Sequence, residues 1–416
     1  MYGLLGKSLK HSLSKKIHER LNKTITYNLY ETDDLKAFFR ARPFKAINVT
    51  NPYKEACLPY IDRLDASAKA IGAVNTIVDE DGLLIGYNTD YKALRTVIAK
   101  HFPADTSTFV GIVGNGATSK TLLKALHDDG YVNVMVFARH PSVNEESLSA
   151  IETYTSLRVL INATPLGMYP NTEQSFDFSL DIFKQLTLVF DLIYNPLKTN
   201  LLLEAKKENI PYINGLPMLV KQAMFAQEIF FETSFEKMYE RFYKSLEIEL
   251  YNIVFIGLPF SGKSHYGRLL STLYDKPFID IDQSIERQEH AKIETLFTTQ
   301  GEAYFRALEE KKVLSIAKRH AQVVAPGGGI IQSASAMHAL MHNSLIIFLD
   351  LDLSILSPEN LRNRPLIQNI NDLKSLQAKR QPLYETYASI TIRKDTWDEA
   401  VIINRIKEAI DDYFNH

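Results

Sequence analysis

The sequence predicts an α/β protein of three units, on three observations. Residues 257–264, Gly-Leu-Pro-Phe-Ser-Gly-Lys-Ser, follow an apolar segment of strand length, Asn252–Ile256, and open a helical pattern. Residues 114–119, Gly-Asn-Gly-Ala-Thr-Ser, hold the same place after Phe109–Val113. Ahead of both, short apolar segments alternate with helical ones, the rhythm of βα units. A chain of 416 residues has room for about three domains of ~100 to 200 residues.

The elements follow in order. Tyr27–Tyr30 and Ala46–Val49 read as strands around a helix from Asp34 to Arg42. A second unit begins at Phe109–Val113 and continues with Val132–Phe137, Leu157–Ile161 and Leu188–Asp191, apolar runs typical of buried parallel strands. From Met218 to about Leu246 the pattern is helical, with no Gly or Pro to interrupt it, and it leads straight into the third unit without a Gly/Ser linker. The expected boundaries are 1–100, 101–214, 215–247 and 250–416.

Composition narrows the function classes. Hydrophobic content of 45% with 23% charged residues is that of an ordinary globular protein. A formal net charge of −2 offers no basic face for nucleic acid. No apolar run approaches the ~18 residues of a spanning helix, and the N-terminus has no secretory pattern, so a cytoplasmic protein is expected. The single cysteine, Cys57, has no internal partner. The Lys-Lys run at Lys15 and the Glu-Glu-Lys-Lys run at Glu309 read as solvated helix faces.

The 257–264 loop is a complete G-x-x-x-x-G-K-[ST] pattern, and its order suits triphosphate binding. Backbone N–H groups from Gly257 through Ser261 and Gly262 would wrap the phosphates of ATP. Lys263 would reach the outer oxygens, and the Ser264 hydroxyl would hold Mg²⁺ at the helix N-terminus. The Gly114–Ser119 run resembles a dinucleotide loop, with Gly114 and Gly116 allowing a pyrophosphate to approach the helix that Ala117 opens. The next strand ends in Arg139 where an NAD-selective fold has an acidic residue, which suits the 2′-phosphate of NADP; Arg139 is otherwise an exposed strand-end cation.

Seven ordered blocks extend the reading: His11-Ser12-Leu-Ser14, Asn48-Val-Thr50-Asn-Pro-Tyr-Lys54, Gly72-Ala-Val-Asn75-Thr, Gly86-Tyr-Asn88-Thr-Asp90, Asn162 to Met168, Asp191 to Pro196, and Gly215 to Ala223. Together they resemble shikimate dehydrogenase over residues 1 to about 245. The resemblance implies NADP-dependent reduction of 3-dehydroshikimate to shikimate, with Lys54 and Asp90 as the catalytic pair. It makes Ser12 and Ser14 carboxylate ligands, and Thr50, Asn75, Tyr194 and Gln222 hydroxyl ligands. Gly215 joins the cofactor-binding set. Taken singly, each polar residue is equally a cap or turn residue. The chain departs from the family in having Lys15 after Ser14, Ala117 and Thr118 in the loop, no second basic residue soon after Arg139, and a shortened stretch between His140 and Ile161.

Downstream of the phosphate loop come Phe278-Ile-Asp280-Ile-Asp282, Phe305-Arg306-Ala-Leu-Glu309, Pro326-Gly327-Gly328-Gly329, Asn363-Arg364 and Ala378-Lys-Arg380. In this order they resemble shikimate kinase over residues 250 to about 395. The resemblance implies that Asp282 contacts the attacking hydroxyl and that Asp280 orders Mg²⁺. Arg306 and Arg380 would grip the substrate carboxylate, Glu309 would hold Arg306, and Gly328 and Gly329 would let backbone approach the substrate. Arg364 would act from a lid together with Lys263. An arginine that would stack on adenine is not evident, since Ser357 and Pro358 occupy that stretch; Arg362 is a substitute. Both halves thus converge on one metabolite, with small-molecule partners only. The other readings are quinate oxidation, phosphorylation of another polyol, or a nucleotide-dependent sensor in the second half.

Overall fold

The computed structural model describes residues 1–9, 12–357 and 370–415, in two compact units. The first comprises Met1–Asn195 and Thr199–Tyr243, the second Pro196–Lys198 and Lys244–His416.

The first unit holds two six-stranded sheets. One is formed by β1 Tyr2–Gly6, β2 Tyr27–Glu31, β3 Ala46–Val49, β4 Arg63–Leu64, β5 Thr76–Glu80 and β6 Leu83–Tyr87, in the order β2-β1-β3-β5-β6-β4. It is mixed: β5 runs antiparallel to both β3 and β6. The β5–β6 hairpin turns at Asp81 and Gly82, both at positive φ, a backbone that Asp and Gly tolerate best. Side chains alternate across this sheet. Leu5, Ile47, Val49 and Ile77 pack with Phe39, Phe44 and Tyr53. Ala46 and Val78 pack instead with Ala226 and Phe230 of the helix Leu216–Phe231.

The second sheet is parallel throughout, from β7 Val110–Val113, β8 Val134–Ala138, β9 Glu146–Ser147, β10 Val159–Asn162, β11 Leu188–Asp191 and β12 Tyr212–Ile213. Its order, β12-β11-β10-β7-β8-β9, reverses direction beside β7. That is where an open α/β sheet leaves a crevice at the carboxyl ends of its strands. Where the sequence is short, between β8 and β10, only β9 and the 3₁₀ turn Leu148–Thr153 make the crossover.

The helical reading of 218–246 needs a correction. Helix Leu216–Phe231 stops at Glu232, which adopts a left-handed conformation with φ 53°. Glu228 Oε1 then accepts the Phe235 N–H at 2.9 Å, and a new helix runs Tyr239–Leu250. Thr233 and Ser234 compete for backbone groups and break the helix without Gly or Pro.

The second unit is a five-stranded parallel sheet of β13 Asn252–Ile256, β14 Phe278–Asp280, β15 Val323–Ala325, β16 Ser344–Leu351 and β17 Ile390–Lys394, ordered β14-β15-β13-β16-β17. The phosphate loop leaves β13 between β15 and β16, again at a reversal of strand order. The core on one face includes Val254, Ile256, Val324, Ile346 and Phe348, covered by Phe305, Val313, Leu340 and Tyr384. Among the described residues no helix is long and apolar enough to cross a membrane.

Candidate functional site

A cavity of about 550 Å³ in the first unit is lined by Ser12, Ser14, Thr50, Lys54, Asn75, Asp90, Tyr194, Gly215 and Gln222. Nine residues singled out from sequence thus meet in one place. His11, quoted with Ser12, lies outside the described residues.

Local structure sets each of them. The short helix Tyr53–Ala56 presents Lys54, whose carbonyl accepts the Val74 N–H at 2.9 Å. Helix Thr89–His101 is capped by Asn88, which accepts the Tyr91 N–H at 3.0 Å and places Asp90 in the first turn. Lys54 Nζ donates to Asp90 Oδ2 at 2.7 Å, a short charge-assisted bond between side chains only 17% and 11% exposed. Asn75 is committed to Thr89: it accepts the Thr89 N–H at 2.7 Å and donates to Thr89 Oγ1 at 2.9 Å. Asn75 therefore fixes the start of the helix that carries Asp90.

The chain just before Tyr194 is held by a buried carboxylate. Asp191 accepts from Thr199 Oγ1 at 2.6 Å, from Ile193 N–H at 3.0 Å and from Asn162 Nδ2 at 3.0 Å. Burial pushes its pKa up to about 6 despite these donors. From the other side the Gly215 N–H donates to Ile193 O, and a Cβ on Gly215 would stand 2.0 Å from Leu192 O. Only glycine lets the two chains approach so closely. Burial also raises the Tyr194 phenol.

Gly114, at φ +104°, Gly116 and Ala117 form the turn from β7 into the helix Ala117–Asp128. A Cβ on Gly114 would meet Thr164 Cγ2 at 2.8 Å, whereas one on Gly116 would meet nothing within 4 Å. This leaves open space before the free N–H groups of the helix, a fit for the pyrophosphate of a dinucleotide. Arg139 follows β8, exposed and without an ion pair among the described residues.

A second cavity, of about 340 Å³, lies in the second unit between the phosphate loop and Pro326–Gly328. Gly257 and Gly262 adopt φ +146° and +93°, and Ser261, within the loop, is fully buried. Lys263 Nζ donates to the carbonyls of Gly257 and Leu258 at 3.0 Å each. Ser264 Oγ donates to Asp280 Oδ2 at 2.7 Å, pairing the two expected Mg²⁺ groups, and Asp280 Oδ1 caps the next helix through Gln283 N–H. An oxygen pair of this kind suits a hard divalent cation.

Around the three-glycine turn the charges are packed tightly. Arg306 Nη1 donates to Glu309 Oε2 at 2.8 Å, and a Cβ on Gly329 would fall 2.1 Å from that nitrogen. Arg380 Nη1 donates to Gly328 O at 2.7 Å. On Gly327 a Cβ would lie 2.2 Å from Glu309 Oε1 and 2.6 Å from Asp282 Oδ1. Glu309 is 1% exposed, so its reading as part of a solvated face is corrected. Burial raises its pKa, with the nearby Asp282 charge adding and Arg306 opposing. Arg364 and Arg362 lie outside the described residues.

Sequence reasoning gave no site role to Ser8, Thr118, Met218 and Tyr169, which line the first cavity, or to Gly327, which lines the second. It also missed Lys394, which is 2% exposed behind the phosphate loop. Its ammonium lies 3.5 Å from Phe260 O and 4.1 Å from the Trp397 ring centre, and burial lowers its pKa to about 8. The signal was present: Lys394 shares the inward phase of Ile390 and Ile392 on β17.

Comparison with known proteins agrees with this geometry. Residues 4–77 match the family model of the shikimate dehydrogenase substrate binding domain, and residues 259–411 match that of shikimate kinase. A shikimate dehydrogenase (NADP(+)) from Clostridium beijerinckii is 35% identical over 266 residues, 60% of this chain and 98% of the relative. The crystal structure of a shikimate dehydrogenase from Peptoclostridium difficile superposes with a TM-score of 0.54 at 31% identity, covering 60% of this chain and 98% of that one. That of Thermus thermophilus, in complex with NADP(H) and shikimate, gives 0.51 at 28% identity over 58% and 98%. The chain thus belongs to the shikimate dehydrogenase family and carries a shikimate kinase domain after it.

Proposed function

We propose that this chain catalyses two consecutive reactions: NADPH-dependent reduction of 3-dehydroshikimate to shikimate, then ATP-dependent phosphorylation of shikimate to shikimate 3-phosphate. The observation that carries the proposal is that each half sets groups for a carboxylate and for hydroxyls in or beside its cavity. The first cavity gathers Ser12, Ser14, Thr50, Tyr194 and Gln222 around Lys54 and Asp90; the second is lined by Asp282 and Gly328, and Arg380 and Arg306 lie against Gly328 and Gly329 of the same turn. A ring acid with several hydroxyls answers both sets.

In the first reaction a bound nicotinamide would supply the hydride for the carbonyl carbon. Lys54 delivers a proton to the carbonyl oxygen, and Asp90 orients the ammonium while accepting a substrate hydroxyl. Such a placed acid contributes roughly 10² to 10⁴ in rate. Ser12 and Ser14 hold the carboxylate. Gly114, Gly116 and Ala117 would hold the pyrophosphate and Arg139 the 2′-phosphate, while Gly215 allows close packing against Leu192 and Ile193 at the cavity wall. In the second reaction Asp282 takes up the hydrogen of the attacking hydroxyl, Arg306 and Arg380 clamp the carboxylate, and Lys263 neutralises charge on the transferring phosphoryl group. Ser264 and Asp280 are the groups for Mg²⁺.

On this reading residues 1–100 with 215–247 make the substrate half of the dehydrogenase, 101–214 its cofactor half and 250–416 the kinase, acting in the cytoplasm. A coupled assay of the purified chain with 3-dehydroshikimate, NADPH and ATP, following shikimate and its phosphate, tests it. Accumulation of neither product, or turnover of quinate alone, would overturn the proposal.

A further inference from the structure

The loop from Arg139 to Glu145 returns the chain from the end of β8 to β9, which pairs Phe137 with Glu146 and Ala138 with Ser147. Glu145 closes it. Its Oε2 accepts the Ser142 N–H at 2.7 Å and Asn115 Nδ2 at 2.9 Å, while the same Asn115 amide also reaches His140 O at 3.2 Å. Asn115 belongs to the dinucleotide loop, between Gly114 and Gly116. The carboxylate is therefore fixed by two donors against both the pyrophosphate turn and the end of the second strand. In a dinucleotide fold those two places border the adenosine ribose, where a carboxylate favours a 2′-hydroxyl and a guanidinium a 2′-phosphate.

Arg139 and Glu145 thus stand at opposite ends of one short loop, with opposite preferences. Arg139 has no ion pair among the described residues, so it does not cancel the carboxylate. We infer that Glu145 is a specificity-determining residue that weakens binding of the 2′-phosphate, so that this dehydrogenase discriminates only narrowly between NADPH and NADH. The inference rests on the dehydrogenase reading above and concerns its cofactor subsite.

The physical argument is Coulombic. A 2′-phosphate carries up to two negative charges, and one like charge within a few ångströms in a partly solvated site costs about a factor of ten in binding. The ribose hydroxyl of NADH instead gains an acceptor.

Glu145→Gln is the informative variant, because the amide oxygen still accepts from Ser142 and Asn115 while the charge is gone. Calorimetric dissociation constants for NADP⁺ and NAD⁺, and for the fragments 2′,5′-ADP and 5′-AMP, should be compared between wild type and variant in the full-length chain. The expected result is about tenfold tighter NADP⁺ and 2′,5′-ADP in the variant, with NAD⁺ and 5′-AMP unchanged or weaker. Equal movement of phosphorylated and unphosphorylated ligands would mean that Glu145 only supports the loop, and no movement would mean that it faces no ligand; either overturns the inference. Failure of wild type to bind any dinucleotide would instead overturn the dehydrogenase reading.

Discussion

Lys54 Nζ donates to Asp90 Oδ2 across 2.7 Å, joining a residue that follows β3 to one that follows β6. Neither side chain has another salt-bridge partner among the described residues. Lys54→Ala should lower NADPH-dependent reduction by ~10² to 10⁴ while phosphorylation continues at its normal rate. Assaying both activities on one preparation checks this, and a parallel fall in both would contradict separate sites.

Lys263 and the Ser264–Asp280 pair give the reciprocal expectation. Lys263→Ala should reduce phosphorylation by at least ~10², the scale of losing one electrostatic contact to the reacting group, with reduction unchanged. Asp280→Asn should shift the Mg²⁺ dependence of phosphorylation to higher concentration. A magnesium titration that superposes on wild type would exclude Asp280 from the metal site.

The three-glycine turn leaves no room beside Arg306. Gly329→Ala places a methyl 2.1 Å from Arg306 Nη1, so the guanidinium has to move. Losing a charge-assisted hydrogen bond costs about 1.5 to 3 kcal/mol. The shikimate KM of phosphorylation should therefore rise roughly 10- to 100-fold, with the ATP KM nearly constant. Initial-rate kinetics with each substrate varied in turn would show the split.

His18 predicts a pH dependence of stability. It is fully buried, stacks on Tyr27 with ring centres 4.3 Å apart, and meets Gln227 Nε2 at 3.0 Å through Nδ1. Desolvation lowers its pKa to about 3, against ~6.5 in an unfolded chain. Above ~6.5 neither state binds the proton; below it the unfolded chain does and the folded one does not. Stability is thus lost as pH falls from ~6.5 towards about 3, by up to ~1.4 kcal/mol per pH unit. The urea concentration that halves dehydrogenase activity should fall between about pH 7.5 and pH 5.5 in the wild type, and less steeply in His18→Phe. Identical slopes would remove His18 as the cause.

Much of this was legible because loops at strand ends keep their chemistry in order along the chain. The phosphate loop needed only its spacing, whereas Lys54 and Asp90 were singled out by the resemblance to a known family; the structure brings these two within 2.7 Å of each other. The β5–β6 hairpin was not evident, because Asp81-Gly82 lies inside a stretch that reads as one more βα unit. The break at Glu232 has no Gly or Pro to announce it, only Thr233 and Ser234 competing for backbone. Glu309 shows the limit of charge-run arguments: the same string Glu-Glu-Lys-Lys holds one carboxylate that is buried by the fold and paired with Arg306. Lys394 was overlooked because the strand Ile390–Lys394 was not read from the sequence.

Cys57 is fully buried, and burial raises its thiol pKa to about 12. Alkylating dyes, which attack only the thiolate, will therefore pass it by at neutral pH. A cysteine engineered at Val143, 89% exposed on the Arg139–Glu145 loop, becomes the sole labelling point without any background substitution. Trp397, the chain's one tryptophan, already supplies intrinsic fluorescence to the second unit. Each half of the polypeptide can thus carry its own optical reporter, and occupancy of either can be watched while the other turns over.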